Sequence, residues 1–496
     1  MMSETLNIEQ RRAAHDHNHG QNRFAVTPVP LRLDADDRYT GRGVTLAFLD
    51  SGFYPHPDLT EPVNRIIAYH DVAGEIASLE TDRPSQSWQW HGTQTSVVAA
   101  GNGHLSDGIY RGLASQAKLV LVKVSEAGRI TEENIARGLE WVIENRERYG
   151  IRVLNISLGG DEDIPCSQSV IDQAAEEAIR QGISVVAAAG NNGLSEDHTS
   201  APPANSPSVI TVGGYDDDNR IEKSNLNLYH SNYGTTADGT VKPELIAPAM
   251  WIATPILPGA SAYIVAESLS QIHHAPDYLL RDTTRKLWRQ AELPEALIEA
   301  DTDTIRRTVE SYLHHHKIVA THYQHGDGTS FAAPIVSSVV AQMIEANPNL
   351  SPTTIKNILI STASRIVDAS VIRQGYGVLN AHRAVSVARS EQHRLSYENF
   401  TPPRIVDGRL LFSYHDDVAE TVAIAGDFNG WKPDEIFFNR DDNGIWSASI
   451  KALPAGQYRY KLIINGTRWT DDPGNGFKEM DGYGGFNSLV NIYEEM

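Results

Sequence analysis

The spacing of hydrophobic residues predicts that strands and helices alternate over most of the chain. Nearly continuous apolar runs predict strands at 44–49, 119–124, 151–157, 183–189 and 209–213. Stretches of helical period lie at about 131–147 and 168–181. Strands that are apolar on both faces and alternate with helices are typical of parallel sheets covered on both sides. We therefore predict a doubly wound α/β domain over residues 41–389.

A different period begins after a polar stretch at 390–404, which we interpret as a linker. Short runs such as V-A-I-A-G, W-S-A-S-I and L-V-N-I-Y are separated by N-G, D-N-G and P-A-G turns. Such turns between short strands indicate antiparallel pairing. Residues 405–496 are therefore predicted to form an all-β sandwich of the immunoglobulin-like type.

The most apolar helix is predicted directly after the sequence G-D-G-T at 326–329. From Phe331 to Met343 the residues are small or apolar nearly all round, so this helix is expected to be buried. Pro334 falls in its first turn, where a missing N–H costs little. Ser330 would then lie at the N-terminus of a core helix, although Gly-Thr-Ser alone also forms ordinary turns and caps.

Three further polar residues lie at the ends of predicted elements. Asp50 follows the first strand, His91 opens a run of small residues, and Asn191 follows the strand at 183–189. The carboxyl ends of parallel strands meet at one edge of a sheet, where functional groups gather. A serine hydroxyl needs a base, and His91 held by Asp50 is suited to act as the base for Ser330. The Asn191 amide and the Ser330 backbone N–H are candidates to stabilise an oxyanion.

These residues lie in a set of short motifs: D-S-G at 50–52, H-G-T at 91–93, S-L-G-G at 157–160, A-A-A-G-N at 187–191 and G-T-S-F-A-A-P at 328–334. In this order the motifs resemble those of the subtilisin-like serine proteases. The resemblance implies an endopeptidase that hydrolyses polypeptide substrates without a required cofactor. It also implies that Ser157, Leu158 and Gly159 offer a strand edge to an extended substrate.

The chain departs from the pattern of that family in several places. The stretch at about 255–322 is an excess rich in helix formers, and it predicts two or three inserted helices. A wall or lid of the substrate cleft and an outward-facing interaction hairpin are both open interpretations of this insertion. Gln94 stands where many members have histidine, and Ala249 stands where glycine is usual.

The same resemblance leaves metal binding open. Asp58 matches a position that binds structural calcium in many relatives, but the rest of that calcium loop is not recognisable near Gly101 to Gly112. The histidines at 15, 17, 19 and 314–316 are interpreted as solvated.

Three segments of the C-terminal region form a recognisable set: G-D-F-N-G-W at 426–431, L-P-A-G-Q-Y-R-Y-K at 453–461 and N-G-T-R-W-T-D-D-P at 465–473. With these segments the region resembles the glycogen-binding module of the AMP-activated kinase β subunit and the N-terminal module of isoamylase-type enzymes. By this resemblance the residues that bind glycogen or another α-glucan are Trp431, Lys461, Trp469 and Asn487. Indole rings stack on sugars, while lysine and amide groups bond hydroxyls. Docking of a protein partner is the alternative for this module.

Charge and composition disfavour other partners. The net charge of −21 makes nucleic acid and anionic membrane surfaces poor partners. The single cysteine, Cys166, allows no intrachain disulfide. The N-terminal residues lack the basic and then apolar pattern of a signal peptide, so a cytoplasmic location is expected.

The first 40 residues are predicted to form a polar N-terminal extension. Its prolines make the segment from Phe24 to Leu33 extended. This segment either lies in the substrate cleft as an inhibitory arm or packs along the catalytic domain.

A non-catalytic scaffold, in which only the sugar module acts, is the rival from another functional class. The presence of Asp50, His91, Asn191 and Ser330 together favours the enzyme, because a scaffold needs none of them.

Overall fold

A computed structural model describes residues 26–75, 78–79, 85–195, 198–223, 226–391, 403–406, 408–416, 418–441, 444–475, 478–483 and 485–492. The helices of its N-terminal part are α1 (Val29–Arg32), α2 (Pro57–Thr60), α3 (Trp90–Ala100), α4 (Glu132–Tyr149), α5 (Val170–Arg180), α6 (Ser261–His274), α7 (Asp277–Leu287), α8 (Thr302–His315), α9 (Thr329–Ala346), α10 (Pro352–Thr362), α11 (Val371–Gln374) and α12 (Ala381–Ser390). The strands of this part are β1 (Thr45–Asp50), β2 (Ile66–Asp71), β3 (Lys118–Lys123), β4 (Ser125–Glu126), β5 (Arg129–Ile130), β6 (Ile151–Ile156), β7 (Ser184–Ala188), β8 (Ile210–Asp216), β9 (Asn227–Leu228), β10 (Gly234–Thr235), β11 (Val241–Lys242), β12 (Leu245–Pro248), β13 (Ile252–Pro255), β14 (Ile318–Ala320) and β15 (Tyr323–Gly326).

The main sheet is parallel, which confirms the predicted α/β class. Its strand order is β12-β8-β7-β6-β1-β3-β2, and β9 pairs antiparallel with β8. The central residues of β1, Leu46 to Leu49, are all apolar because the two faces of the strand enter two different cores. Leu46 and Phe48 pack on one side of the sheet, and Ala47 and Leu49 pack on the other.

Helix α9 is the helix around which one of these cores is built. Every residue from Phe331 to Ile344 is buried. By length and composition α9 is also the described helix that could span a membrane, but 83% of it is buried inside the protein. Its apolarity is therefore that of a core helix.

The N-terminal segment packs further into the domain than a boundary at residue 41 implies. Leu33 and Ala35 belong to the same core cluster as α9, and Arg32 is only 1% exposed. Residues 26–40 are thus part of the catalytic body. Phe24 and the histidines at 15, 17 and 19 lie outside the described residues.

The insertion forms a helical subdomain with its own core. Helices α6, α7 and α8 enclose a cluster that includes Leu269, Leu280, Ile305 and Val309. The subdomain is attached through β13, β14 and β15, which pair antiparallel in the order β13-β15-β14. Because β15 leads directly into α9, the inserted helices are anchored beside the segment that carries Ser330.

The C-terminal part is an antiparallel β structure, as predicted. Its strands are β16 (Arg404–Val406), β17 (Arg409–His415), β18 (Val422–Gly426), β19 (Ile436–Phe437), β20 (Asn439–Arg440), β21 (Ile445–Lys451), β22 (Gly456–Ile464), β23 (Arg468–Thr470), β24 (Lys478–Met480) and β25 (Phe486–Ile492). One sheet has the order β16-β17-β21-β20, and the other has the order β19-β18-β22-β25-β24 with β23 beside β22. Trp446, Phe412 and Tyr460 fill the core of the module.

Candidate active site

Asp50 and His91 form a close hydrogen-bonded pair at the carboxyl edge of the main sheet. Asp50 ends β1 and is 1% exposed, and His91 lies in the first turn of α3. The His91 Nδ1 atom is 2.8 Å from Asp50 Oδ1 and 3.1 Å from Oδ2. The Ser51 N–H donates to Asp50 Oδ1 at 2.7 Å, and Thr95 Oγ1 donates to Oδ2 at 3.2 Å. These donors fix the carboxylate in the orientation that holds the imidazole.

Two glycines allow the helix carrying His91 to approach the strand carrying Asp50. A Cβ on Gly92 would lie 2.3 Å from the Gly52 carbonyl oxygen and 2.9 Å from Asp50 Cβ. A Cβ on Gly52 would lie 2.2 Å from the ring of Trp88. A side chain at either position would separate the pair, which explains why D-S-G and H-G-T both contain glycine.

Burial and the neighbouring Asp50 carboxylate shift the pKa of the His91 imidazole in opposite directions. Burial disfavours the imidazolium, but the charge of Asp50 and its hydrogen bond favour it more strongly. The net effect raises the pKa of His91 above its ordinary value. The imidazole is therefore a stronger base than an exposed histidine.

Ser330 lies in the first turn of α9, next to Asn191 and Ser157. Asn191 Oδ1 accepts from the Thr329 N–H at 2.9 Å and from Thr329 Oγ1 at 3.1 Å. The acceptor end of the Asn191 amide is thereby occupied, and its NH₂ end remains as a donor. The N–H of Ser330 belongs to the first turn of a helix, where backbone donors have no intrahelical acceptor.

The Ser330 hydroxyl rests against the backbone of Ser157, at 3.4 Å from its carbonyl oxygen. The aromatic neighbour of Ser330, Phe331, has its ring centroid 6.3 Å from that of His91. The structure thus brings all four predicted residues, Asp50, His91, Asn191 and Ser330, to one edge of the sheet.

A series of buried hydrogen bonds leads from the main sheet to the backbone carbonyl of Ser330, and the sequence interpretation missed it. Ser337 Oγ donates to Asn155 Oδ1 at 2.9 Å, Asn155 Nδ2 donates to Ser157 Oγ at 3.0 Å, and Ser157 Oγ donates to the Ser330 carbonyl at 3.0 Å. Asn155 is 1% exposed within the apolar strand β6. The sequence signal that could have revealed this series is Asn155 itself, a single amide side chain inside an apolar run.

The predicted substrate edge follows β6 directly. Ser157 is buried, Leu158 is half-buried and Gly159 is exposed. A Cβ on Gly159 would lie 2.6 Å from the Pro202 carbonyl oxygen, and the Gly160 N–H donates to that oxygen at 2.8 Å. The absence of side chains at 159 and 160 therefore keeps this edge close to the neighbouring loop.

The two departures from the family pattern have local explanations. Ala249 is accommodated because its partner Gly214 has no side chain, and a Cβ there would lie 2.3 Å from Ala249 Cβ. Gln94 is 1% exposed, and its Nε2 donates to the Pro255 carbonyl at 3.2 Å. Gln94 thus fastens α3 to the start of the insertion.

Asp58 is surrounded by hydrogen-bond donors rather than by further metal ligands. Its Oδ1 accepts from the Leu105 N–H at 3.0 Å, and its Oδ2 accepts from the Tyr323 hydroxyl at 2.6 Å. A calcium ion needs several oxygen ligands, and no group of three or more His, Cys, Asp and Glu suited to a metal is found among the described residues. Because both carboxylate oxygens of Asp58 accept hydrogen bonds from protein donors, their arrangement does not fit a calcium ligand.

The four residues predicted to bind glucan share the outer face of one sheet of the C-terminal module. Lys461 pairs with Ala425, and Trp469 pairs with Ile463. Trp431 packs on Ala423, Ala425 and Ile463. Asn487 precedes Ser488, which faces the core opposite Tyr460, so Asn487 lies on the outer face beside Lys461.

An exposed phenylalanine extends this face, and the sequence interpretation did not include it. Phe437 pairs with Ala423, which pairs with Ile463, which pairs with Trp469. This row crosses four strands, about 14 Å, and its end members Phe437 and Trp469 are 58% and 42% exposed. An aromatic residue on an outward strand position was the available signal.

The parallel sheet, the Asp–His pair and the serine at the N-terminus of a buried helix define a serine hydrolase of the α/β class. Residues 41–378 match the family model described as Subtilase family. The chain therefore belongs to the subtilase family, and it is a subtilisin-like serine endopeptidase. Residues 401–483 match the model described as carbohydrate-binding module 48, the isoamylase N-terminal domain.

Two sequence relatives agree with this assignment. Serine protease AprX of Bacillus subtilis (strain 168) is 31% identical over 354 residues, which cover 70% of this chain and 67% of that protein. Subtilisin BL of Lederbergia lenta is 30% identical over 276 residues, which cover 53% of this chain and 92% of that protein. Among solved structures, the chain is similar to the crystal structure of fervidolysin from Fervidobacterium pennivorans, with 18% sequence identity and a TM-score of 0.49. This match covers 89% of this chain and 56% of the fervidolysin chain.

Proposed function

We propose that Asp50, His91 and Ser330 form the catalytic triad of this endopeptidase and that Asn191 supplies an oxyanion donor. The observation that carries the proposal is the Asp50–His91 pair, 2.8 Å apart, next to the helix whose first turn holds Ser330. Because Nδ1 of His91 faces Asp50, its Nε2 is the nitrogen left to receive a proton from the serine. Ser330 Oγ lies 3.4 Å from the Ser157 carbonyl oxygen, so the proposal requires its hydroxyl to turn toward this base.

In the first half of the reaction Ser330 Oγ attacks the carbonyl carbon of the scissile peptide while its proton passes to His91 Nε2. Asp50 remains ionised and stabilises the imidazolium. The carbonyl oxygen becomes an oxyanion, to which the Asn191 NH₂ group and the Ser330 N–H donate hydrogen bonds in this proposal. The C–N bond then breaks, and the leaving amine takes the proton from His91.

In the second half water hydrolyses the acyl-enzyme. His91 accepts a proton from the water, the hydroxide oxygen attacks the ester carbon, and His91 returns the proton to Ser330 Oγ as the ester bond breaks. We propose that an extended segment of the polypeptide substrate lies along Ser157, Leu158 and Gly159 during both halves.

Labelling with a fluorophosphonate probe tests the triad. The wild type is expected to be labelled, and Ser330→Ala is expected to lose the label because the nucleophilic oxygen is gone. Hydrolysis of casein should disappear in the same variant. Labelling that survives Ser330→Ala would contradict the proposal.

We further propose that the C-terminal module binds glycogen or another α-glucan and brings the protease to it. The support is the common outer face of Trp431, Lys461, Trp469 and Asn487, together with the family match of residues 401–483. Exposed indole and phenyl rings give apolar stacking faces, and Lys461 gives a polar group beside them. The Lys461 ammonium is held in place by Asp481, at 2.6 Å.

A further inference from the structure

Arg32 of the N-terminal segment is buried against the carboxyl edge of the main sheet. Its guanidinium forms a two-pronged ion pair with Asp217, in which Nε is 2.8 Å from Oδ2 and NH2 is 2.8 Å from Oδ1. The remaining donors reach two backbone carbonyls, that of Trp251 at 2.7 Å and that of Met250 at 2.9 Å. Both charged side chains are nearly inaccessible to solvent, at 0% and 3% exposure.

The segment around Arg32 is fastened at a second point. The Thr27 N–H donates to Asn219 Oδ1 at 2.6 Å, and Thr27 Oγ1 donates to the Asn219 carbonyl at 2.8 Å. Residues 26–33 therefore bind the turn that follows β8. Among the described residues, no hydrogen bond joins this segment to Asp50, His91 or Ser330; its side-chain bonds go to residues 217, 219, 250 and 251.

The carbonyls that Arg32 holds belong to a turn that also sets the loop before Ser330. The Gly328 N–H donates to the carbonyl of Ala249 at 2.8 Å. The Trp251 N–H faces the imidazole of His325 at 2.9 Å, and His325 is 2.8 Å from Asp327. Residues 249–251 are thus bonded to Arg32 on one side and to residues 325–328 on the other.

The turn adopts a conformation that needs such external contacts. Trp251 has a φ of +60°, in the left-handed region that a large side chain rarely occupies. Its indole N–H donates to Asp216 Oδ1 at 2.9 Å. Without the guanidinium, two carbonyls of this strained turn would lose their buried donors.

We infer that Arg32 is a positioning residue for the nucleophile: through residues 249–251 it fixes the loop at 326–329 and so the place of Ser330 Oγ. The inference rests on the proposed function, in which Ser330 is the nucleophile. It assigns residues 26–33 a supporting function in catalysis, opposite to that of an inhibitory arm.

The test uses variants of the full chain that separate positioning from folding. Arg32→Met removes the guanidinium but leaves the buried Asp217 charge unpaired, which endangers folding. The double variant Arg32→Met with Asp217→Leu removes both charges, so it avoids an unpaired charge while still losing the donors to Met250 and Trp251. Arg38→Ala is the matched control, because Arg38 is an exposed arginine paired with Asp36.

The readout is kcat and KM for a peptide substrate, with kcat expressed per serine titrated by a fluorophosphonate. A displaced nucleophile should lower kcat per titrated serine by about tenfold or more in the double variant while KM changes little. Arg38→Ala should match the wild type. A purely structural residue would lower the number of titratable serines and leave kcat per serine unchanged.

The outcomes are distinguishable. Wild-type kcat per titrated serine in the double variant would overturn the inference and leave the triad intact. Fluorophosphonate labelling that is as strong in Ser330→Ala as in the wild type would contradict both the triad and the inference.

Discussion

The chemistry proposed for this protein depends at the smallest scale on the environment of one imidazole. Burial opposes the charging of His91, and the neighbouring Asp50 carboxylate favours it and prevails. A base with a raised pKa takes the Ser330 proton more readily, but it is neutral only above that pKa. Activity should therefore fall as the pH drops through a pKa higher than the roughly 6.5 of an ordinary histidine.

The contribution of Asp50 can be measured directly. In a Ser330→Ala background, which prevents autolysis, Asp50→Asn should lower the pKa of His91 because the charge that stabilises the imidazolium is removed. An NMR titration of the imidazole gives this pKa, with Asp36→Asn as a control that leaves it unchanged. With Ser330 present, Asp50→Asn should reduce kcat by about 10⁴-fold, the loss typical of a triad aspartate. An unaltered pKa of His91 would contradict the account.

Single residues also show what could be predicted from sequence. Asp50, His91 and Ser330 could be found because each is a polar residue at the end of an apolar element. Asn155 and Arg32 could not be assigned in this way. Asn155 lies in the middle of an apolar strand, and the partners of Arg32 at 217 and 250–251 are far away in sequence.

Strands and helices were predictable where their hydrophobic period was strong. The strand predicted at 44–49 is β1, and the helix predicted at 168–181 contains α5. Strand β2 was missed because it is only partly buried, so its sequence lacks a continuous apolar run. Packing of the N-terminal segment along the domain was one of two interpretations. The sequence could not decide between them, because the burial of residues 26–40 depends on contacts with distant residues rather than on a local pattern.

Helix α5 carries a buried acid that makes stability depend on pH. Asp172 in its first turn is 0% exposed. Burial raises the pKa of this carboxyl to about 7, against smaller opposing effects of Ser169 and Lys242. An acid whose pKa is higher in the folded than in the unfolded state destabilises the fold as pH rises from about 4 to about 7.

Asp172→Asn should therefore stabilise the protein at neutral pH. The gain in the free energy of unfolding should be about 2–4 kcal/mol at pH 8 and should shrink toward zero near pH 4. Urea unfolding in a Ser330→Ala background, followed by tryptophan fluorescence at both pH values, measures it. A gain that is equal at the two pH values would show that Asp172 does not titrate as described.

The whole molecule combines a protease fold with a module whose outer face carries exposed aromatic rings. Trp469 is at one end of the four-strand row and Phe437 is at the other. If this face stacks on glucose, the side chains of Trp469 and Phe437 should each add to the binding affinity about as much as one aromatic contact does. The adjacent Lys461 is expected to bond sugar hydroxyls.

Retardation in a glycogen-containing gel tests this face in the intact chain, again with Ser330→Ala. The parent protein should be retarded relative to a plain gel. Trp469→Ala and Phe437→Ala should each raise the apparent Kd by about threefold to tenfold, because each loses one stacking contact. Tyr278→Ala is the control, since Tyr278 is an exposed aromatic residue of the insertion, 82% accessible. Equal mobility of the parent in both gels would rule out glycogen as the ligand.

The central claim is that Ser330 is the nucleophile of this subtilase. The most direct measurement is the mass of the intact protein after reaction with a fluorophosphonate, followed by mapping of the modified peptide. The account predicts one adduct per chain, on Ser330, and none in Ser330→Ala. An adduct on another residue, or an unmodified wild type that leaves casein intact, would contradict it.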